Sequence, residues 1–339
     1  MEITIKDVAK EAGVAISTVS KYMSGGSVRQ ENEVRIREAV KKLGYSPNSL
    51  ARGLKRSKTF TVGLMIEAMD GPYWAKLINY LEAELQKMGY ALILCCHGKS
   101  VELAREYAEY LTSQMVDGIF FAPIQEEEDY MNVPREKEIP LIALEAAKGF
   151  EVYGLVQTNY TAMAYELVEN LIIKGHEKIA VIGGAPSLRS VQECMRGYMH
   201  VMEDYDIEVC REWMLYGENT RESGLEMMYR LWQAEKKPTA VFAANYYMAM
   251  GVLRAASELH IVVPDELSLA VIDDYVFSTL VPVKVTAATQ PLEKISHEAC
   301  RLFRESLEHP KQKRAEKVRI KGEIVPRESI SPPRDEEEE

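Results

Sequence analysis

One strongly basic stretch of the chain is NSLARGLKRSK, residues 48–58, whose side chains suit a polyanion. Arg52, Lys55 and Arg56 can bind phosphate oxygens, and Leu54 adds an apolar side chain among them. A helix of this length does not persist alone in water, because isolated helices shorter than roughly 12 residues are marginal. The segment therefore needs a partner surface before its side chains can act.

A second group of residues could support catalysis. Asp273 and Asp274 are adjacent carboxylates, and GGAP at 183–186 could hold a phosphate. The glycine patterns of phosphate and dinucleotide loops are absent from the sequence, so we interpret GGAP as a turn. The histidines lie in none of the motifs typical of hydrolases or metalloproteases. We therefore predict no enzymatic activity, no cofactor and no metal site.

The composition indicates a folded protein of a reducing compartment. The chain has 339 residues, 47% of them hydrophobic and 27% charged, which allows two or three domains with their own cores. No apolar run approaches the ~18 residues of a membrane span, and the polar N-terminus does not resemble a signal peptide. The five cysteines form no C-x-x-C pair, which favours reduced thiols. We expect a cytoplasmic protein without membrane contact.

Charge is distributed unevenly along the chain. Residues 1–58 contain twelve basic and six acidic side chains, a net charge of +6, within a chain whose total is −11. The remaining 281 residues therefore carry −17. A small basic module joined to a larger acidic body is typical of a nucleic-acid-binding protein with a regulatory domain, although a basic arm can also be only a solvated surface.

The pattern of residues 4–24 predicts a helix-turn-helix. Thr4 opens the first helix with a capping box, and Gly13 ends it. In the second helix Val19 faces inward, so the opposite side is free to enter a major groove. A third amphipathic helix over 31–43 completes a minimal core.

Motifs continue in the same order through the whole chain. They include TIKDVAKEAGV, TVSKYMS, LGYSPNSLARGLK, TVGLMI, DGIFFAP, GHEKIAVIGG, PTAVFAAN, VPDELSLAVIDD, ATQP and VPRESISPP. This series resembles the lactose-repressor (LacI/GalR) family of bacterial transcription regulators over its full length. The resemblance implies a regulator, usually a repressor, that binds a pseudo-palindromic double-stranded operator as a homodimer. It also implies control by a small-molecule effector.

From residue 60 onward, apolar strand-like runs alternate with segments long enough for helices, which predicts parallel sheets covered on both faces. The seven runs lie at 60–66, 90–96, 117–123, 139–145, 179–184, 240–245 and 267–273. The series divides into two halves near residues 155–165, which predicts two doubly wound lobes with a ligand cleft between them. The resemblance implies the same fold class: an all-α helix-turn-helix domain, then an α/β periplasmic-binding-protein-like (type I) two-lobe effector domain whose chain crosses three times.

The predicted domains follow from these patterns. They are the helix-turn-helix at 1–47, a hinge at 48–59, a first lobe from 60–158 and 291–321, a second lobe from 159–290 and 322–330, and an acidic tail at 331–339. The tail contains no heptads, so we predict a dimer rather than a tetramer. The resemblance points to dimer contacts on segments 74–88 and 100–113.

The resemblance also implies which residues contact DNA. In the helix-turn-helix these are Thr4, Ile16, Ser17, Thr18 and Lys21; in the hinge they are Asn48, Arg52, Leu54 and Lys55. The hinge would form a helix only on the operator, where Leu54 enters the minor groove and kinks the duplex. The alternative is a flexible basic linker with an incidental leucine. Ala15 and Arg29 replace capping serines common in the family, so we expect the domain to be weakly stable without DNA.

Effector contacts are implied in the same way. The positions that match the family's pocket are Tyr73, Trp74, Cys194, Asn245, Tyr246, Asp273 and Gln290. Several polar anchors of the family are replaced, with Ala68 and Tyr246 at positions of aspartates and Ala146 and Cys194 at positions of arginines. We therefore predict a ligand more apolar or aromatic than a simple hexose, or a regulator that has partly lost small-molecule control. The alternative is a sugar bound through other residues, such as Glu67 or Glu145.

One rival class shares the two-lobe fold. A solute-binding protein would carry a signal peptide and no helix-turn-helix, so the first 58 residues discriminate between the two. A two-lobe protein that has lost its DNA binding or its ligand response remains the alternative reading.

Overall fold

The computed structural model describes residues 3–23, 26–45, 58–69, 71–124, 129–145, 152–275, 283–310 and 316–334. They belong to two compact units. The first consists of Met1–Phe60 with Met115–Asp117, and the second of Thr61–Gln114 with Gly118–Glu339. No described helix is long and apolar enough to cross a membrane.

Three helices build the first unit: α1 (Ile5–Ala12), α2 (Ile16–Met23) and α3 (Gln30–Leu43). The carboxylate of Asp7 accepts hydrogen bonds from the backbone N–H and the hydroxyl of Thr4, at 2.8 and 2.7 Å. Gly13 ends α1 in the left-handed conformation, with φ at 63°. The core consists of Val8, Ala9, Ala12, Val19, Ile36 and Ala39. The predicted helix-turn-helix and its third helix are therefore confirmed.

Two six-stranded sheets build the second unit. The strands are β1 (Thr61–Ile66), β2 (Ala91–Cys96), β3 (Gly118–Phe121), β4 (Leu141–Ala143), β5 (Gly154–Thr158), β6 (Ile179–Gly183), β7 (Met214–Tyr216), β8 (Ala240–Ala243), β9 (Ser268–Ile272), β10 (Thr286–Thr289), β11 (Glu316–Ile320) and β12 (Glu323–Val325). The first sheet has the order β11-β5-β4-β3-β1-β2 and the second β12-β10-β9-β8-β6-β7. All neighbouring strands are parallel except β12, which runs antiparallel to β10.

Helices cover both faces of each sheet. They are α4 (Pro72–Lys87), α5 (Val101–Ser113), α6 (Asn132–Glu136), α7 (Tyr160–Ile173), α8 (Arg189–Asp204), α9 (Arg221–Gln233), α10 (Tyr246–Glu258) and α11 (Leu292–Glu308), with short 3-10 turns at Asp129–Met131 and Arg211–Trp213. In β6, Ile179 and Val181 enter one core, whereas Ala180 and Ile182 enter the core on the opposite face. Both faces are buried, which explains why these strands are continuous apolar runs in the sequence.

The chain passes between the two sheets three times. It crosses from β5 to β6, returns from β10 to β11, and crosses again from β11 to β12. The predicted two-lobe α/β fold with three crossings is therefore confirmed. Because the strands of each sheet are parallel, their carboxyl ends share one edge, where loops can form a site.

Helices α9 and α10 pack unusually closely through two glycines. A Cβ atom on Gly251 would lie 2.3 Å from the carbonyl oxygen of Arg221 and 2.4 Å from the backbone nitrogen of Leu225. A Cβ atom on Gly224 would lie 2.6 Å from the carbonyl oxygen of Met248. Backbone atoms cannot move aside as side chains do, so both glycines are required for this contact.

We predict that Gly251→Ala lowers the free energy of unfolding by on the order of 1–3 kcal/mol, because the added methyl group pushes α9 and α10 apart. Urea denaturation of the full chain measures the change. Ser257→Ala, on an exposed position of the same helix, is the control and should leave stability within about 0.5 kcal/mol of the parent. Equal effects of the two substitutions would contradict the close-packing argument.

Candidate functional site

The exposed side of α2 is the first candidate site. Ile16 is 46% exposed, Ser17 and Lys21 are exposed, and Thr18 is half-buried, whereas Val19 is fully buried in the core. The buried Val19 fixes the rotation of the helix, so the other four side chains lie toward its outer side. Together they offer an apolar group, two hydroxyls and one cation, which suit the base edges and phosphates of a major groove.

Ion pairs neutralise part of the basic charge of this unit. Arg37 pairs with Glu33 at 2.5 Å, and Lys42 pairs with Glu11 at 2.6 Å. Lys21 takes part in no ion pair among the described residues. Its charge is therefore available to a phosphate or a base.

The remaining predicted DNA contacts are Thr4 at the start of α1 and the four hinge residues. Thr4 is exposed at the start of α1, and its hydroxyl donates to Asp7. A hydrogen bond from this hydroxyl to a phosphate would have to replace the bond to Asp7. The predicted hinge residues Asn48, Arg52, Leu54 and Lys55 lie outside the described residues.

A cleft of about 1010 Å³ between the two sheets of the second unit is the second candidate site. The lining residues Glu67 and Glu145 follow β1 and β4 of the first sheet. Asn245, Asp273 and Gln290 follow β8, β9 and β10 of the second sheet. The cleft therefore lies at the carboxyl ends of the strands, where parallel sheets bind their ligands.

Aromatic side chains cover much of this cleft. They are Tyr73, Trp74, Tyr160, Tyr246, Tyr247 and Tyr275. Tyr73 and Trp74 pack edge to face with ring centroids 4.9 Å apart, and Tyr246 lies 5.8 Å from Tyr275. Such rings provide flat apolar walls with polar tips, which suit a planar or apolar ligand.

Asp273 is held in position by a buried hydrogen-bond network. The side-chain amide of Gln290 donates to the Asp273 carboxylate at 2.6 Å, and the hydroxyl of Thr158 donates to the amide oxygen of Gln290 at 2.7 Å. Asp273 has a left-handed backbone with φ at 67°. A non-glycine residue in this conformation carries strain, which often marks a functional site. The structure thus fixes both the backbone and the side chain of Asp273.

Two carboxylates of the cleft are difficult to ionise. Burial raises the pKa of Glu145 to about 7, and the negative charges of Asp273 and Glu193 add to this shift, while Arg189 and the Tyr73 hydroxyl oppose it. Burial also raises the pKa of Asp273 to about 6, against the hydrogen bonds from Gln290 and Tyr275. Each carboxylate is therefore costly to ionise in the unliganded protein.

Asn245 and the GGAP turn form one side of the cleft. Asn245 caps α10 by accepting a hydrogen bond from the backbone of Met248 at 3.0 Å, and it donates to Asn219 at 2.9 Å. A Cβ atom on Gly184 would lie 2.0 Å from the Asn219 side-chain oxygen and 3.0 Å from the Asn245 side-chain nitrogen, so a larger residue would displace Asn219. Gly184 thus makes room for the two asparagines.

The adjacent carboxylates Asp273 and Asp274 do not act as a pair. Arg327 forms an ion pair with the buried Asp274 at 2.5 Å, whereas Asp273 bonds to Gln290. In the part of the chain that the structure describes, no three His, Cys, Asp or Glu side chains are grouped as a metal ion would require.

Comparison with known proteins agrees with this architecture. The family model described as bacterial regulatory proteins, lacI family, matches residues 4–48, and the periplasmic binding protein-like domain matches residues 168–330. The HTH-type transcriptional repressor PurR of Serratia proteamaculans (strain 568) is 30% identical over 332 residues, covering 97% of this chain and 97% of that protein. The chain belongs to the LacI family of bacterial regulatory proteins. It is a DNA-binding transcriptional regulator with an effector-binding domain.

Two further LacI-family proteins are similar over most of their length. Catabolite control protein A of Priestia megaterium is 28% identical over 306 residues, covering 89% of this chain and 92% of that protein. A crystal structure of the Lac repressor dimer bound to operator and the anti-inducer ONPF has a TM-score of 0.81 and 20% identity. That match covers 98% of this chain and 100% of the other, and it shows the shared fold.

The structure brings together six of the seven predicted effector residues. Tyr73, Trp74, Asn245, Tyr246, Asp273 and Gln290 all line the cleft. Cys194 does not line it: its side chain is fully buried, and its sulfur lies 3.9 Å from the carbonyl oxygen of Ala244. The structure does not support the prediction for Cys194, because a side chain this short stays in the core beneath the cleft.

Sequence reasoning missed several lining residues. Tyr160 follows β5, a strand that was not predicted, so its place at a strand end was not recognised. Tyr247 and Tyr275 lie next to predicted residues, and adjacency to Tyr246 and Asp273 was the signal that could have found them. Glu145 was considered only as an alternative sugar contact.

We predict that Glu145→Gln makes the free energy of unfolding less dependent on pH between pH 5 and pH 8. A carboxyl group with a raised pKa stabilises the fold while protonated, so its contribution is full below about pH 4.5 and is lost as pH rises through about 7. The parent should therefore lose stability between pH 5 and pH 8, by on the order of 2 kcal/mol more than the variant.

Urea denaturation at the two pH values measures this difference. Glu67→Gln is the control, because Glu67 lines the same cleft but is exposed and pairs with Lys99 at 3.0 Å. An identical pH dependence in the parent and both variants would contradict the assignment to Glu145.

Proposed function

We propose that this LacI-family protein is a repressor that binds a pseudo-palindromic operator as a homodimer, and that a small molecule in the cleft changes its affinity for DNA. The observation that carries the proposal is the exposed face of α2 in a basic three-helix unit. Ile16, Ser17 and Lys21 are exposed there, while Val19 is buried in the core. The protein acts on chromosomal DNA in the bacterial cytoplasm, at the nucleoid, and has no catalytic role.

Homodimer formation follows from the reach of one recognition helix. A single helix reads only a few base pairs, and pairing of two identical chains doubles the contact and imposes two-fold symmetry on the operator. Exposed Tyr80 on α4 and Tyr110 on α5, 41% and 49% accessible, support the predicted dimer contacts on these two helices. We propose the domain limits given in the sequence analysis, with the hinge at 48–59 between the DNA-binding and effector domains.

Effector control rests on the cleft between the sheets. A ligand that contacts both lobes stabilises one relative position of the lobes over others. In the dimer this would change the distance between the two hinge segments, so that hinge-helix formation and DNA affinity change together. The aromatic lining supports an effector more apolar than a simple hexose.

The first test of this function is selection of bound sequences from a random duplex pool. We expect recovery of an inverted repeat, because two symmetry-related α2 helices read the two half-sites. Affinity should fall steeply with salt, since Lys and Arg side chains displace counterions from the phosphates. Recovery of single half-sites would contradict binding as a homodimer, and recovery of no motif would favour a two-lobe protein that has lost specific DNA binding.

The second test concerns Leu54 in the proposed hinge helix. Leu54→Ala should weaken binding to the selected operator at least about tenfold while leaving binding to random DNA unchanged, because only the specific complex uses the minor-groove wedge. Arg56→Ala is the matched comparison and should weaken both, with a shallower salt dependence, because it removes a phosphate contact. Fluorescence anisotropy on both duplexes measures these affinities. An unchanged ratio of specific to random affinity in Leu54→Ala would exclude the wedge.

A further inference from the structure

The charges that line the cleft are unbalanced. Of the described lining residues, five are acidic: Glu67, Glu145, Glu218, Glu222 and Asp273. Two are basic, and each is already paired: Lys99 with Glu67 at 3.0 Å and Arg221 with Glu222 at 2.8 Å. The cleft wall thus has an excess of negative charge.

Among the described residues, the two least exposed of these carboxylates, Glu145 and Asp273, have no basic partner. Neither takes part in an ion pair among the described residues; Asp273 bonds to Gln290, and Glu145 to the hydroxyl of Tyr73. Arg189, whose charge opposes the raised pKa of Glu145, bonds to Glu193 at 3.1 Å. Glu145 and Asp273 line the same cleft as Tyr73, whose hydroxyl interacts electrostatically with both.

The aromatic wall already binds one cation of the protein itself. The ammonium group of Lys76 lies 5.3 Å from the ring centroid of Tyr275, and it donates to the carbonyl oxygen of Tyr275 at 3.4 Å. Lys76 itself is exposed. Cation–π attraction is stronger where water is excluded, so such rings would hold a cation enclosed in the cleft more strongly. The ring edges and faces of Tyr73, Trp74 and Tyr246 extend the same type of surface.

We propose that the effector of this cleft is an organic cation, a primary amine with an apolar or aromatic body, whose ammonium group binds Glu145 and Asp273 while its body packs against Tyr73 and Trp74. This inference rests on the proposed function, since it names the ligand class of the same cleft. A cation supplies the charge that these two unpaired carboxylates require, and the aromatic rings cover its apolar part. An anion would add a further negative charge at this position, and a neutral sugar would leave both carboxylates uncompensated.

Binding of such an amine is linked to proton release. Asp273, Glu193, Arg189 and the Tyr73 hydroxyl act on the charge of Glu145. Gln290, the Tyr275 hydroxyl and Asp274 act on the charge of Asp273. Both carboxyl groups bind the amine in their ionised form. At pH 5 most of them carry protons that the amine must displace. Affinity should therefore be at least about tenfold higher at pH 8 than at pH 5.

The test uses the full-length protein and three probes of the same shape: 2-phenylethylamine, the neutral 2-phenylethanol and the anionic phenylacetate, with D-glucose beside them. Thermal melting at pH 8 should show an increase with the amine and none with the other three. Isothermal titration in two buffers that differ in ionisation enthalpy should show proton release on amine binding. Glu145→Gln and Asp273→Asn, which keep the shape of each side chain but remove its negative charge, should each weaken amine binding at least about tenfold. The control Glu226→Gln, at an exposed position of α9 that does not line the cleft, should not.

Several results would overturn the proposal. They are an alcohol or glucose as effective as the amine, unchanged amine affinity in both carboxylate variants, or no amine-dependent shift in melting temperature. Operator affinity of the unliganded parent, measured in parallel by fluorescence anisotropy, separates failure of the amine proposal from failure of the proposed function. Operator binding without an amine response contradicts only the ligand class, whereas loss of operator binding contradicts the proposed function itself.

Discussion

The buried side-chain amide of Gln290 joins the two sheets of the second unit. Its oxygen accepts from Thr158 at the end of β5 in the first sheet, and its nitrogen donates to Asp273 at the end of β9 in the second. An amide has one donor end and one acceptor end, so the bond from Thr158 determines which end faces Asp273. The position of the cleft carboxylate therefore depends on a contact between the sheets.

This connection lies among several others where the chain crosses between the sheets. Arg319 on β11 pairs with the buried Glu193 on α8 at 2.9 Å, and Lys321 pairs with Glu166 on α7. In contrast, the contact from Lys76 to Tyr275 involves an exposed lysine at the cleft. Exposed, solvated contacts contribute little to stability, whereas buried charge pairs are costly to break. The pair of Arg319 with the buried Glu193 is thus the costliest of these contacts to break.

The chemistry of the cleft follows from where its side chains differ from the pattern that the family resemblance implies and where they match it. The arginines and aspartates that the family resemblance led us to expect at positions 68, 146, 194 and 246 are Ala68, Ala146, Cys194 and Tyr246. Asp273 is retained, and Glu145 and the tyrosines surround it. Removal of a cation from a site that keeps its carboxylates raises their pKa values, because burial and mutual repulsion are no longer offset. The electrostatics of the site are therefore those of a receptor for positive charge.

The sequence by itself determined the order of elements and the fold class. Continuous apolar runs such as 179–184 and 267–273 need no partner to be recognised, because a strand buried on both faces is apolar at every position. Strands β5, β7, β10, β11 and β12 were not predicted, since they are short or carry polar residues: β11 reads EKVRI with Glu316 exposed at an edge. The partner of β11 is β5, far back along the chain, and only the folded sheet identifies it.

Likewise, the motif positions predicted Asp273 and Gln290 as site residues, but not their bond to Thr158, more than 100 residues away. The burial of Cys194 depends on packing within the second lobe. The contribution of Glu145 and its raised pKa depend on residues of both lobes. Local patterns specify local structure, whereas the charge balance of a cleft is a property of side chains brought together from both sheets, and only the tertiary structure decided it.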